Sequence, residues 1–287
     1  MTASRILFPI RLRCVIKNID VSSDVQIREI NAEDRLQLLG LKSATLDEHG
    51  RIKSYIVETV DSLYTLMGPD LDQYDQLYSS NYVAIVSSLP EAKALTLAFK
   101  LLAPSCSALY IGTSIKENSS GYSRSFLRPV CYYGTQPLKL DPEDINALIL
   151  LFAACRNSDK DRKLSVMADI FLYAMSVAPR NESRCIELSI VLEMLLLPKA
   201  STELSYRFAL RMAKFAAAHL GESSSDWFSR GKKIYKTRSR LVHSGQDDSL
   251  GLTSELIEET TRRLLAAYIR NPSLFTDAAL DRLCIAA

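Results

Sequence analysis

Residues 224–246 read SSDWFSRGKKIYKTRSRLVHSGQ, and the spacing of their apolar positions decides the character of the second half of the chain. Trp227, Ile234 and Leu241 fall seven apart, which predicts one long helix beginning near Ser224 with a buried seam. Tyr235, Arg238 and Val242 share a neighbouring face, while Lys232, Lys233 and Lys236 spread over the more solvated side. Gly245 is placed to end that helix in the left-handed conformation. From residue 229 onward the segment holds Arg230, Lys232, Lys233, Lys236, Arg238 and Arg240 with no carboxylate, together with His243, one of 3 histidines in the chain. A phosphate-bearing partner meets a concentrated positive field there. The negative end of a helix dipole also favours cations in the last turn, so a basic end by itself requires no catalytic purpose. Arg238 and His243 are five apart, roughly 140° around an ideal helix, and converge if the last turn loosens.

Outward from this segment, the sequence reads almost wholly helical from Asp141 to the C-terminus. DPED supplies a capping Asp141, Pro142 in the first turn and acids over the positive end of the dipole. Six candidate helices follow: DPEDINALILLFAAC, DRKLSVMADIFLYAMSVA, ESRCIELSIVLEMLLL, STELSYRFALRMAKFAAAHL, SDWFSRGKKIYKTRSRLVH and TSELIEETTRRLLAAYI. Short links join them, several marked by Pro179, Pro198, Gly221 or Gly245, as a helical bundle requires.

Before residue 140 the texture differs. FPIRLRCVIKNI and VQIREI alternate and are rich in β-branched residues, which predicts two or three strands separated by NIDVSSD. NAEDRLQLLGL can open a helix at Asn31, RIKSYIVETVDSL fits strand or helix, and NYVAIVSS reads as a strand ahead of the helix PEAKALTLAFKLLAP. Residues 105–140 read as irregular loop with short strands, GYSRSFLRPVCYYG among them. The expected architecture is α+β: a mixed α/β region over residues 1–140 and an all-α bundle over residues 141–287.

Bulk properties narrow the possibilities. The 287 residues, 47% of them apolar, suit two domains with sizeable cores. Lys+Arg 35 against Asp+Glu 33 leaves +2, so any anion site is local. Six cysteines lie scattered without metal-ligand spacing, and Cys155 and Cys185 sit in apolar helix-like stretches as buried thiols. MTASRILFPIRLRCV interrupts its apolar positions with Pro9, Arg11 and Arg13, and INALILLFAAC is too short to span a bilayer, so a soluble, cytoplasmic protein without membrane association is expected. No HExxH, GxxxxGK, GxGxxG or GxSxG occurs. The stripe Arg207, Arg211 and Lys214 reads as the solvated face of a packed helix in preference to a phosphate track. Arg262 and Arg263, after Glu258 and Glu259, read the same way, and His49 and His219 as surface or helix-end residues.

STELSYRFALRMAKFAAA followed by KKIYKTRSRLVHSG, with the apolar IELSIVLEMLLL before it, closely resembles the Apea-like branch of the HEPN family. The resemblance covers about residues 141–270, and more loosely the FPIRL opening. Members carry an Arg, four to six residues and a His in a bundle of four or five helices, with a Tyr before the motif and a Gly close behind. Tyr235, Arg238, His243 and Gly245 hold those positions, and Glu193 with ELSYRFALR matches the preceding signature. The resemblance implies metal-independent RNA cleavage, without cofactor, by attack of a 2′-hydroxyl on the adjacent phosphorus. His243 is then the proton carrier, since imidazole titrates near neutral pH, and Arg238 binds the extra negative charge of the transition state. It also implies a homodimer that joins two motifs across a cleft, a role as toxin or antiviral effector, and a regulatory protein partner. Arg230, Lys232, Lys233, Lys236 and Arg240 become the RNA-binding set, and Tyr235, Ser239 and Glu193 support the motif. Glu193, inside an otherwise apolar helix, is expected half-buried and paired, with Arg238 as partner if the helices pack as in the family.

Two other readings stand beside this one. Ser239 occupies the position where many active members have Asn, Asp or His, which motivates a non-catalytic module that binds nucleic acid or nucleotide, or dimerises. Alternatively the basic stretch docks an acidic protein, and the chain is a helical adaptor.

Overall fold

The structure, a computed structural model, describes residues 5–10, 12–14, 18–31, 34, 41–46, 52–57, 82–102, 113–118, 121–126, 138–156, 161–175, 181–198, 202–245 and 250–285. By internal contact the chain divides into Met1–Phe152 and Ala153–Ala287, a division that falls inside the helix opened by Pro142.

In the first unit, β3 (Asn18–Ser22), β4 (Val25–Glu29), β7 (Tyr82–Val86), β1 (Arg5–Ile10), β8 (Thr113–Asn118) and β9 (Gly121–Phe126) line up in that order as a six-stranded sheet. Every pairing in it is antiparallel. Two small ribbons accompany it: β2 (Leu12–Cys14) parallel to β10 (Leu138–Leu140), and β5 (Leu41–Leu46) antiparallel to β6 (Ile52–Val57). Strands 7 and 4 are interior to the sheet, and their side chains suit burial: Tyr82, Val83, Ala84 and Val86 are buried, as are Val25 and Ile27. Helix α1 (Leu89–Leu102) follows β7 and packs on it through an Ala- and Leu-rich face that includes Leu95, Ala98 and Phe99. An antiparallel sheet in the first unit and helices alone among the described residues of the second make the chain α+β.

One sequence expectation is corrected here. NIDVSSD was expected to separate strands, yet Asn18–Ser22 is itself strand β3. Polar Asn18 and Asp20 mask an alternation in which Ile19 and Val21 face inward, the pattern of a strand with one wet face. RIKSYIV resolves to strand at β6; Asn31 and Asp34 exchange capping hydrogen bonds (2.9 and 2.8 Å), but the rest of the helix expected there lies outside the described residues.

Helix α2 (Pro142–Cys155) begins as the sequence dictates, with Asp141 Oδ1 accepting from the amides of Glu143 and Asp144 at 3.0 Å each. In the second unit come α3 (Arg162–Ala174), α4 (Asn181–Leu196), α5 (Leu204–His219), α6 (Ser224–Ser244) and α7 (Leu250–Arg270). A 3₁₀ turn (Pro272–Phe275) and α8 (Asp277–Ile285), which no sequence expectation covered, complete it. Helix α4 is apolar on nearly all sides and so sits at the centre, touching α3, α5, α6 and α7. Leu188, Val191, Leu192, Leu195 and Leu196 are fully buried on it, each contributing about 1.5–3 kcal/mol. Cys155 and Cys185 are buried, and burial pushes the Cys155 thiol up to about 12. Among the described residues no helix is long and apolar enough to cross a membrane.

The hairpin of α5 and α6 positions everything that follows. At their crossing Gly231 is buried against Ala209, where a Cβ would lie 2.8 Å from the Ala209 Cα. Backbones so close fix the register, and a tilted Phe208–Tyr235 ring contact (5.7 Å between centroids) holds it further along. The N-terminal half of α5 therefore lies along the middle of α6, from Phe228 to Tyr235.

Candidate functional site

Helix α6 obeys its sequence pattern closely. Ser223 caps it, accepting from the Asp226 amide (3.4 Å), and Trp227, Ile234 and Leu241 are the buried seam. Lys232, Lys233, Lys236 and Arg240 are exposed, and Tyr235 and Ser239 are half-buried. Gly245 ends the helix at φ 73°, its N–H donating to Leu241 O at 3.0 Å. That bond keeps the last turn regular, so the turn does not loosen as convergence of Arg238 and His243 requires. Within one chain the two remain displaced by about 140° around the axis. His243 projects from an exposed position on the final turn.

Arg238 meets Glu193 of the central helix α4, the partner expected for it. Its Nε stands 3.1 Å from Oε1, and its Nη2 donates to Oε2 at 3.4 Å. The Nε contact is close but poorly aligned for a hydrogen bond, so the pair is held mainly by charge. Both side chains are about a quarter exposed, so the pair lies at the surface of the bundle and not in its core. Burial pushes the Glu193 carboxyl above its ordinary range, and the Arg238 charge only partly opposes this.

A raised carboxyl pKa means that the folded chain holds the Glu193 proton more tightly than the unfolded chain. The stability it confers is present in acid and lost as pH rises through the folded pKa. Relative to the parent, a Glu193→Gln variant should therefore gain melting temperature as pH rises above the ordinary glutamate range. Thermal unfolding of both proteins at several pH values measures this; an offset that does not change with pH contradicts it.

Of the expected RNA-binding set, Arg230 is placed differently from the lysines. Its guanidinium lies over Trp227 at 4.7 Å, half-buried, and Arg263 covers the same indole at 5.3 Å while pairing with Glu222 at 2.8 Å. Both cations brace the seam. Arg211 corrects the reading of its stripe: it is 2% exposed, and belongs to neither a solvated face nor a phosphate track. Its Nη1 donates to Leu196 O, the end of α4, at 2.7 Å, its Nη2 donates to Asp281 at 2.7 Å, and Asp277 lies at 2.9 Å. Burial alone lowers its pKa, but the contacts with Asp281 and Asp277 outweigh that and raise it. His219 ends α5 against Phe215, as a helix-end residue; His49 lies outside the described residues.

Sequence reasoning missed a second cluster. Tyr206 of α5 and Phe228 of α6 meet edge to face at 5.9 Å, and Lys232 Nζ lies 5.8 Å from one ring and 5.9 Å from the other. The only advance signal was the Tyr of ELSYRF on the turn next to the hairpin partner, which a packed core also explains. Comparison with known proteins adds nothing to this geometry: no family, no curated protein and no solved structure matches the chain.

Proposed function

We propose that the helical unit is a HEPN-type endoribonuclease that cleaves RNA without a metal, with Arg238 and His243 as its reacting pair. The observation that carries this reading is the state of the motif: a guanidinium paired with Glu193 and partly exposed, on a lysine-lined helix that ends in an exposed imidazole. Arg238 presents donors to a phosphate's developing charge, and His243 takes the 2′-hydroxyl proton or supplies one to the leaving 5′-oxygen. The 140° offset keeps both from one phosphate on the same helix, so two copies of the chain complete the site as a homodimer. Lys232, Lys233, Lys236 and Arg240 draw in the RNA backbone. Restraint of such an enzyme by a regulatory protein, and a toxin or antiviral role in the cytoplasm, belong to the same proposal.

The test is the chemistry of the products. Purified protein incubated with end-labelled RNA in excess chelator should yield 2′,3′-cyclic phosphate and 5′-hydroxyl ends. No cleavage, or cleavage that needs a divalent ion and leaves 5′-phosphates, overturns it. A second reading, a non-catalytic RNA-binding module, is favoured by one observation: Glu193 already neutralises Arg238, and Ser239 is too small to reorient it. RNA retained without cleavage supports that reading.

A further inference from the structure

A cleft of about 330 Å³ opens between α5 and α8. Tyr206, Arg207 and Leu210 form one wall, Asp281 and Ile285 the other. Its volume is at the small end of ligand pockets, roughly 300–1,000 Å³, and suits one planar ring. Tyr206 is 49% exposed, unusual for an aromatic that is also clamped by Phe228. Its ring meets Phe228 edge to face, lies under the Lys232 ammonium at 5.8 Å and forms part of the cleft wall. At the mouth, Glu203 holds the only positive φ of any non-glycine among the described residues, 50°, and its carboxylate makes no capping bond to the helix it begins. Its carbonyl accepts the first helical hydrogen bond, from the Arg207 amide at 2.9 Å, and leaves the carboxylate uncommitted to the helix.

The geometry points to a subsite for one unstacked base of single-stranded RNA, lying in this cleft on the face of Tyr206, with Lys232 and Arg207 beside its phosphates. The assignment rests on the nuclease reading for its ligand, but not on cleavage itself. A fixed aromatic face is what an extruded base seeks, because every base has a π surface. Carboxylates of Glu203 and Asp281 at the rim accept hydrogen bonds from ring and exocyclic N–H groups. Arg211, buried under the cleft and joined to Asp281 at 2.7 Å, fixes that wall.

The probe is a short single-stranded oligoribonucleotide containing 2-aminopurine, titrated into full-length protein carrying His243→Ala so that it is not consumed. Stacking should quench the fluorescence saturably. Adding Tyr206→Ala should weaken binding about 5- to 100-fold and abolish the quench, while Tyr206→Phe, which keeps the ring, recovers both. As a check that needs no second protein variant, an abasic residue placed at each position in turn should weaken binding at one position by a similar factor. RNA that binds with affinity and quench indifferent to position 206 and to the abasic scan overturns the subsite and leaves the nuclease reading intact. Binding that depends on Tyr206 in a protein whose parent never cleaves supports the subsite and removes the nuclease. No binding of RNA at all removes both.

Discussion

Replacing His243 with alanine should slow RNA cleavage by about 10²- to 10⁴-fold, the usual worth of a positioned proton carrier. The residue is exposed on the last turn of α6, so the fold has nothing to lose and the change reads on chemistry alone. Arg238→Lys should fall substantially as well, because a lysine keeps the charge but not the planar fork. The offset between the two side chains sharpens the test. If each site takes its Arg from one subunit and its His from the other, mixing and refolding Arg238→Ala with His243→Ala restores a fraction of the parent rate, since each mixed dimer carries one intact site. Single-turnover cleavage of labelled RNA measures all three. A His243→Ala protein as fast as its parent ends the assignment.

Arg211→Ala should lower the unfolding free energy by about 3 kcal/mol, toward the lower end of the roughly 3–5 kcal/mol seen when one member of a buried pair is removed. The magnitude follows from what is orphaned. Asp281 reaches solvent and regains water, so its cost is limited, while the buried Asp277 Oδ1 loses its counter-charge. Leu196 O regains no water: it ends the central helix in a dry environment and loses its 2.7 Å donor. The emptied volume of the arginine stem adds to the loss. Arg211→Met, which refills that volume, should recover part of it. Denaturant unfolding followed by circular dichroism separates the outcomes, and an Arg211→Ala protein as stable as the parent would place this guanidinium outside the packing.

The helical half was legible because its signals are local. Trp227, Ile234 and Leu241 announce a seam by spacing, Asp141 and Pro142 a helix start, and Gly245 a stop, and none depends on a distant partner. The Glu193–Arg238 pair was anticipated through family resemblance, which carried information from elsewhere in the chain that spacing lacks. What stayed hidden depends on tertiary company. Arg211 carries the same letter in a solvated stripe as in a core, and only the arrival of α8 with Asp277 and Asp281 decides which. Gly231 reads as a weak point in a helix until Ala209 is set against it. Strand β3 was mistaken for a linker because Asn18, Asp20 and Ser22 carry turn chemistry, while two inward side chains are too few to reveal a period.

The chain has 1 tryptophan, and it is enclosed at 1% exposure between two guanidinium groups. Excitation of the indole therefore yields a spectroscopic signal that belongs to the helical unit alone. Melting of the sheet-bearing unit leaves it dark to that channel, whereas far-ultraviolet dichroism sees both. The two halves can thus be timed separately in one cuvette without an added dye, and any lag between the two signals shows whether they unfold as one cooperative body.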